Sequence, residues 1–150
     1  MHSELYWIML LAMFDHCLYF NTTALARRLE QEWAEAFKAF GLTSPQAFML
    51  RAVLKRPGLL QSELSEELSI ARPTATRALD GLEAKGFIER HRTAGDGREV
   101  AICPTSEAVR IAAALNDASG AVTAKLKKAL GSGEFTDTVS KIRGVRLALN

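Results

Sequence analysis

"RPTATRALDGLEAKGFIERHRTAGDGREVAI", residues 72–102, carries two periodicities one after the other. In its first half Ala75, Ala78, Leu79 and Leu82 fall at i, i+3, i+4 and i+7, which makes one stripe of a helix apolar. The opposite face carries Pro73, Thr76, Arg77 and Asp80, and Gly86 stands where a helix commonly ends. In its second half Phe87 and Ile88 precede a Gly-rich tip, and Val100 and Ile102 follow it. Two apolar runs around such a tip predict a β-hairpin, closing near Cys103. Between 72 and 98 there are six cations against four anions, a modest excess, but Arg90, Arg92 and Arg98 all lie on the hairpin. A hairpin that carries cations away from the core points to an anionic partner.

Upstream, the spacing of Leu18, Leu25, Leu29, Ala36 and Phe40 predicts a helix from Asp15 to Phe40, which Gly41 stops. "TSPQ" at 43–46 reads as a capping box, with Thr43 as N-cap, Pro45 in the first turn and Gln46 at the third position. The helix that it opens runs to about Arg56, where "RPG" ends it. A short helix follows at about Ser62–Leu68. Downstream of the hairpin, "PTSE" at 104–107 opens a long helix capped by Thr105, with Ala108, Ile111, Leu115, Val122 and Leu126 along one face. "GSG" at 131–133 breaks it, and a last helix carries Phe135, Val139, Ile142 and Leu149.

The chain of 150 residues suits one domain with a real core, and 48% hydrophobic with 24% charged residues is ordinary for a soluble globular protein. A net charge of +2 is too small to argue for nucleic acid on its own, so any basic surface must be local. The two cysteines, Cys17 and Cys103, have no metal-type spacing, and a reducing, cytoplasmic setting is expected. "LYWIMLLAMF" at 5–14 lacks the basic start and cleavage site of an export signal, and it is shorter than the roughly 20 residues that span a bilayer. It is expected to be a buried helix, apolar nearly all round, whose partner is a second subunit.

Helix, short helix, turn, helix and hairpin is the order of a winged helix-turn-helix. The major groove of DNA admits one α-helix, and the residues that reach base edges come from its N-terminal turns. Those turns offer Arg72, Thr74, Thr76 and Arg77, cations and hydroxyls suited to phosphates and bases. The alternative for this helix is a solvated polar face with no partner. A wing beside a major-groove helix reaches the adjacent minor groove, where the potential favours arginine. Asp96, two residues before Arg98, is positioned to orient its guanidinium.

"SIARPTATRALDGLEAKGFIERHRTAGDGREVAICPTSEA", residues 69–108, resembles the core of the MarR family of bacterial transcriptional regulators. The matching features are the Leu-Glu-x-Lys-Gly-Phe-Ile-x-Arg run at 82–90 and the Asp-Gly-Arg wing tip at 96–98; "GLTSPQAFML" at 41–50 is similar to the family's entry into its second helix. The similarity extends over roughly Cys17–Leu130. The resemblance implies a mainly α fold with a small β-hairpin wing, in which 43–104 form the winged-helix lobe. Residues 1–42 and 105–150 would form a helical dimerisation region of the same single domain. It further implies an obligate homodimer that reads a palindromic double-stranded DNA site and acts as a repressor. Arg72, Pro73, Thr74, Thr76 and Arg77 match the recognition-helix entry, and Arg98 matches the wing arginine; Arg92 and Asp96 are the further wing residues expected at the DNA. One departure is Leu60, where family members often place a Thr or Ser cap.

Many members of the family respond to small aromatic ligands or oxidants. Cys17 stands where the peroxide-sensing branch places its reactive cysteine, with His16 and Tyr19 beside it, although that branch's tyrosine position is Asn21 here. The competing reading is a cysteine that packs as a small hydrophobe. Asp15, His16 and Cys17 point about 100° apart on a helix and do not converge on a metal. The sequence has no nucleophile elbow, phosphate-binding loop or His/Asp/Ser set, so neither an enzyme nor a cofactor is expected. The rival to a DNA-binding regulator is a winged helix used only for protein interaction, which should lack cations on the recognition helix and the wing.

Overall fold

The structure, a computed structural model, describes every residue except 1–3, 6–8, 10, 11, 96 and 97. Helix α1 (Leu18–Phe37) and a 3-10 turn (Lys38–Phe40) lead to α2 (Ser44–Lys55). A two-residue strand β1 (Leu59–Leu60), helices α3 (Gln61–Glu67) and α4 (Arg72–Ala84), and strands β2 (Ile88–Arg92) and β3 (Val100–Pro104) complete the winged lobe. Helices α5 (Ser106–Leu130) and α6 (Ser132–Ala148) end the chain. The wing is a three-stranded antiparallel sheet in the order β1-β3-β2, with Leu59 opposite Ile102 and Arg90 opposite Ile102 on the other side. Strand β1 had no legible signal, because two residues are too short to show alternation.

The caps follow the sequence. Thr43 Oγ1 accepts from the Gln46 backbone N–H at 3.3 Å, and the Gln46 side chain accepts from Thr43 N–H at 3.1 Å. Thr105 Oγ1 accepts from Ala108 N–H at 3.3 Å and donates to the Gly86 carbonyl at 2.6 Å. Gly86, at φ +76°, takes the left-handed turn that separates α4 from β2. Helix α3 starts at Gln61, one residue earlier than expected. Its cap Leu60 has no side-chain acceptor, and only the Glu63 carboxylate, accepting from Leu60 N–H at 2.9 Å, closes that end.

Ala75, Ala78, Leu79 and Leu82 are buried against Leu50, Val53, Leu64, Ile88 and Ile102, as the stripe requires. Truncating Leu79 or Leu82 to alanine in such a core costs about 2–5 kcal/mol.

Two expectations for α1 are corrected. The helix begins at Leu18, not Asp15; residues 12–16 are a turn, and the Asn21 side chain donates to the carbonyls of Asp15 and Cys17, both at 2.9 Å. The core takes Phe37 and Trp33 in place of the Leu18–Leu25 stripe. Only the C-terminal half of α1 lies against α2 and α5, so Leu18 and Leu25 are left 62% and 40% exposed. Half of the apolar 5–14 stretch lies outside the described residues; Leu5, Met9, Met13 and Phe14 are exposed. Helix α6 contacts α5 and buries none of its residues. Among the described residues no helix is long and apolar enough to cross a membrane.

Candidate nucleic-acid interface

Helix α4 sets its polar face outward because its inner positions are small. Alanines at 75 and 78 let the backbone lie close to its support, and Arg72, Pro73, Thr76 and Arg77 are exposed, with Thr74 half-buried. The helix starts from Ala71 with no side-chain cap, so its first N–H groups are available to an anion.

Thr76 is held from two sides. Its hydroxyl donates to the Arg72 carbonyl at 3.0 Å and accepts from Gln61 Nε2 at 3.1 Å. That bond joins α4 to the first turn of α3. Arg72, Thr76 and Arg98 line one cleft of about 400 Å³, together with Gln61, Ser62 and Ser65 of α3 and the wing residues Glu99 and Val100. The cleft therefore brings the start of α4, the start of α3 and the wing onto one surface. Gln61 and Ser62 were not singled out from sequence; the only signal was a polar pair opening a short helix.

The wing arginines divide in two. Arg90 does not project toward a partner: its Nη2 lies 2.6 Å from Asp80 Oδ1, and its Nε lies 3.3 Å from Glu83 Oε2 without hydrogen-bond alignment. The expected cluster of three wing cations is thereby reduced, because Asp80 and Glu83, one turn apart on α4, reach across to the base of β2. Arg90 acts as a tie between α4 and the wing. Arg92 is exposed at the end of β2 and Arg98 at the cleft, while the expected Asp96 partner of Arg98 lies outside the described residues.

The far end of α4 is tied to α2. Lys85 Nζ donates to the Gln46 side-chain oxygen at 2.8 Å and to the Gly41 carbonyl. That Gln46 oxygen also closes the Thr43 capping box, so one amide joins the start of α2 to the end of α4.

Behind the lobe, Arg51 donates to Asn116 Oδ1 at 2.8 Å and to Ser119 Oγ at 2.9 Å, and Trp33 Nε1 donates to the same hydroxyl at 3.0 Å. Burial pushes the Arg51 guanidinium below its ordinary pKa. An apolar groove of about 440 Å³ opens nearby, between α1, α2 and the α3–α4 connection. Cys17 is half-buried at the start of α1; among the described residues no hydrogen bond links its sulfur to His16 or Tyr19. Among the described residues no group of His, Cys, Asp and Glu is placed to hold a metal.

Residues 40–99 match the model of the MarR family. Among curated relatives, the Bacillus subtilis HTH-type transcriptional repressor MdtR is 30% identical over 84 residues, 56% of this chain and 54% of that protein. The chain spans about half the length of the curated relatives it matches, from 44% to 58%. The PcaV regulator of Streptomyces coelicolor, solved with its natural ligand, superposes with a TM-score of 0.74 at 27% identity, covering 84% of this chain and 92% of that one. The S. aureus MepR–DNA complex gives 0.78 at 19% identity, covering 89% and 98%.

Proposed function

The chain belongs to the MarR family, and from that premise we propose that it is a homodimeric, sequence-specific DNA-binding regulator of transcription acting in the cytoplasm. It is a binding protein, not an enzyme. The observation that carries this reading is the shared cleft, where Arg72 and Thr76 of α4, Gln61 of α3 and Arg98 of the wing meet. Helix α4 enters the major groove, where Thr74, Thr76 and Arg77 face base edges and Arg72 faces phosphate, with Pro73 shaping the helix start. The wing follows the backbone into the minor groove through Arg92 and Arg98, with Asp96 orienting Arg98.

The dimer reading is supported by apolar residues that one chain leaves uncovered. Leu18, Tyr19 and Phe20 on α1, and Val139, Ile142, Val145 and Leu149 at the C-terminal end, are each at least 41% exposed. Surfaces of this kind mark association. On this reading 1–42 and 105–150 form the dimerisation region and 43–104 the DNA lobe. Two lobes related by a two-fold axis read a palindrome whose half-sites lie about one helical turn apart. Repression is supported by the likeness to MdtR. Response to a small aromatic ligand is supported by the likeness to the ligand-bound PcaV regulator and by the apolar groove. An oxidant acting at Cys17 is the second form of control.

Selection of bound fragments from random duplex DNA, followed by gel shift at several salt concentrations, tests the reading. A palindromic motif is expected. Equal affinity for all duplexes would remove the sequence specificity, and no binding to any duplex would leave the lobe as a protein-interaction module.

A further inference from the structure

The groove between α1, α2 and the α3–α4 connection carries its own statement about charge. Its walls are mostly apolar, with Leu29, Trp33, Phe48, Leu68 and Ile70 among them, and Glu30 is the one charged residue lining it among the described residues. No lysine, arginine or histidine lines it among the described residues. The buried Ser44 hydroxyl donates to Glu30 Oε1 at 2.7 Å, which fixes the carboxylate at the groove, and the other oxygen makes no hydrogen bond among the described residues. The Trp33 and Phe48 rings, 6.3 Å apart between centroids and tilted by 44°, both line it. Arg51 stacks on Phe48 at 5.4 Å, with its Nε held by Asn116 and its Nη1 by Ser119.

A carboxylate ligand in this groove would meet the like charge of Glu30, and the cation beside Phe48, Arg51, is not among the lining residues. A cation would meet a carboxylate and aromatic rings together, two attractions of the same sign. We propose that the groove binds a lipophilic cation, an ammonium or similar group on an apolar body, with Glu30 as its counter-ion. This rests on the effector reading above and narrows it to one charge class. A volume of about 440 Å³ suits one small organic molecule. The route to the DNA face is short: Ser44, which holds Glu30, sits two residues before Gln46, which holds Lys85 at the end of α4. A cation that draws Glu30 away from Ser44 loosens the turn to which the recognition helix is tied.

Isothermal titration of the full chain with three matched probes tests the assignment: 4-phenylbutyltrimethylammonium, 5-phenylpentanoate and 4-phenylbutan-1-ol. The ammonium should bind about fivefold or more tightly than the carboxylate. Glu30→Gln, which keeps a partner for Ser44, should abolish that preference and leave the alcohol unchanged. Glu30→Lys should reverse it. Carboxylate binding as tight as ammonium, a preference that survives Glu30→Gln, or no binding of any probe because a second copy covers the groove would each overturn the proposal. A separate gel shift with and without the ammonium tests the reading beneath it. Tight, Glu30-dependent binding with unchanged DNA affinity would sink effector control and leave the cation site standing.

Discussion

Replacing Gly81 with alanine sets two effects of opposite sign against each other. Gly81 lies inside α4, and alanine in a helix interior is favoured over glycine by about 1 kcal/mol. By that rule the substitution stabilises. The packing says otherwise: a Cβ at this position would sit well inside contact distance of the Gln46 amide nitrogen and 3.3 Å from its Cδ. Gln46 is 9% exposed, and its oxygen holds both Thr43 N–H and Lys85 Nζ, so the amide cannot swing aside without releasing both. The Thr43 bond is worth about 1 kcal/mol and the charge-assisted Lys85 bond, partly exposed, about 1–2. Their combined loss exceeds the propensity gain, and Gly81→Ala should destabilise by about 1–2 kcal/mol. The reasoning closes in a double-mutant cycle. In a Gln46→Ala background the obstruction is gone, and Gly81→Ala should then stabilise by about 0.5–1 kcal/mol, giving a coupling of about 1.5–3 kcal/mol. Urea unfolding of the four proteins at one fixed concentration reads it, since a dimer's stability depends on concentration. If Gly81→Ala stabilises the wild-type background as much as the Gln46→Ala one, the amide is not an obstacle and the account of this joint is wrong.

Arg77→Ala should weaken binding to the specific duplex by about 1–3 kcal/mol and relax base preference, read by titration against specific and scrambled duplexes. Arg98→Ala should weaken both duplexes alike and lower the salt slope by roughly one unit; wild-type binding of both would make the wing a structural hairpin only. Light scattering at micromolar concentration should give twice 16.4 kDa, and Ile142→Glu, which places a charge on the uncovered α6 face, should shift the population toward monomer. A well-behaved wild-type monomer would rule out the dimer. Organic hydroperoxide should reduce DNA affinity in wild type but not in Cys17→Ser, leaving the dimer intact; equal affinities for treated and untreated wild type would make Cys17 a packing residue.

Local chemistry was legible in the chain itself. The Ala75–Leu82 stripe, the Thr43–Gln46 box, the Thr105 cap and the Gly86 stop each depend on residues within one or two turns, so spacing alone encodes them. The same holds for the outward placing of Arg72, Thr76 and Arg77, because the helical repeat that buries one face exposes the other. Arg90 looked like a wing cation because its strand position was legible and its partner was not: Asp80 lies ten residues back, on another element. The cleft joins Gln61 to Thr76 across fifteen residues, and the Arg51–Ser119 bond spans sixty-eight. Each helix's own periodicity sets which of its residues face inward. Which outward charges neutralise one another, where Glu30 and Ser44 meet, and why Gly81 resists a side chain all follow from the packing, because each depends on the distance between elements, which no single element's periodicity contains.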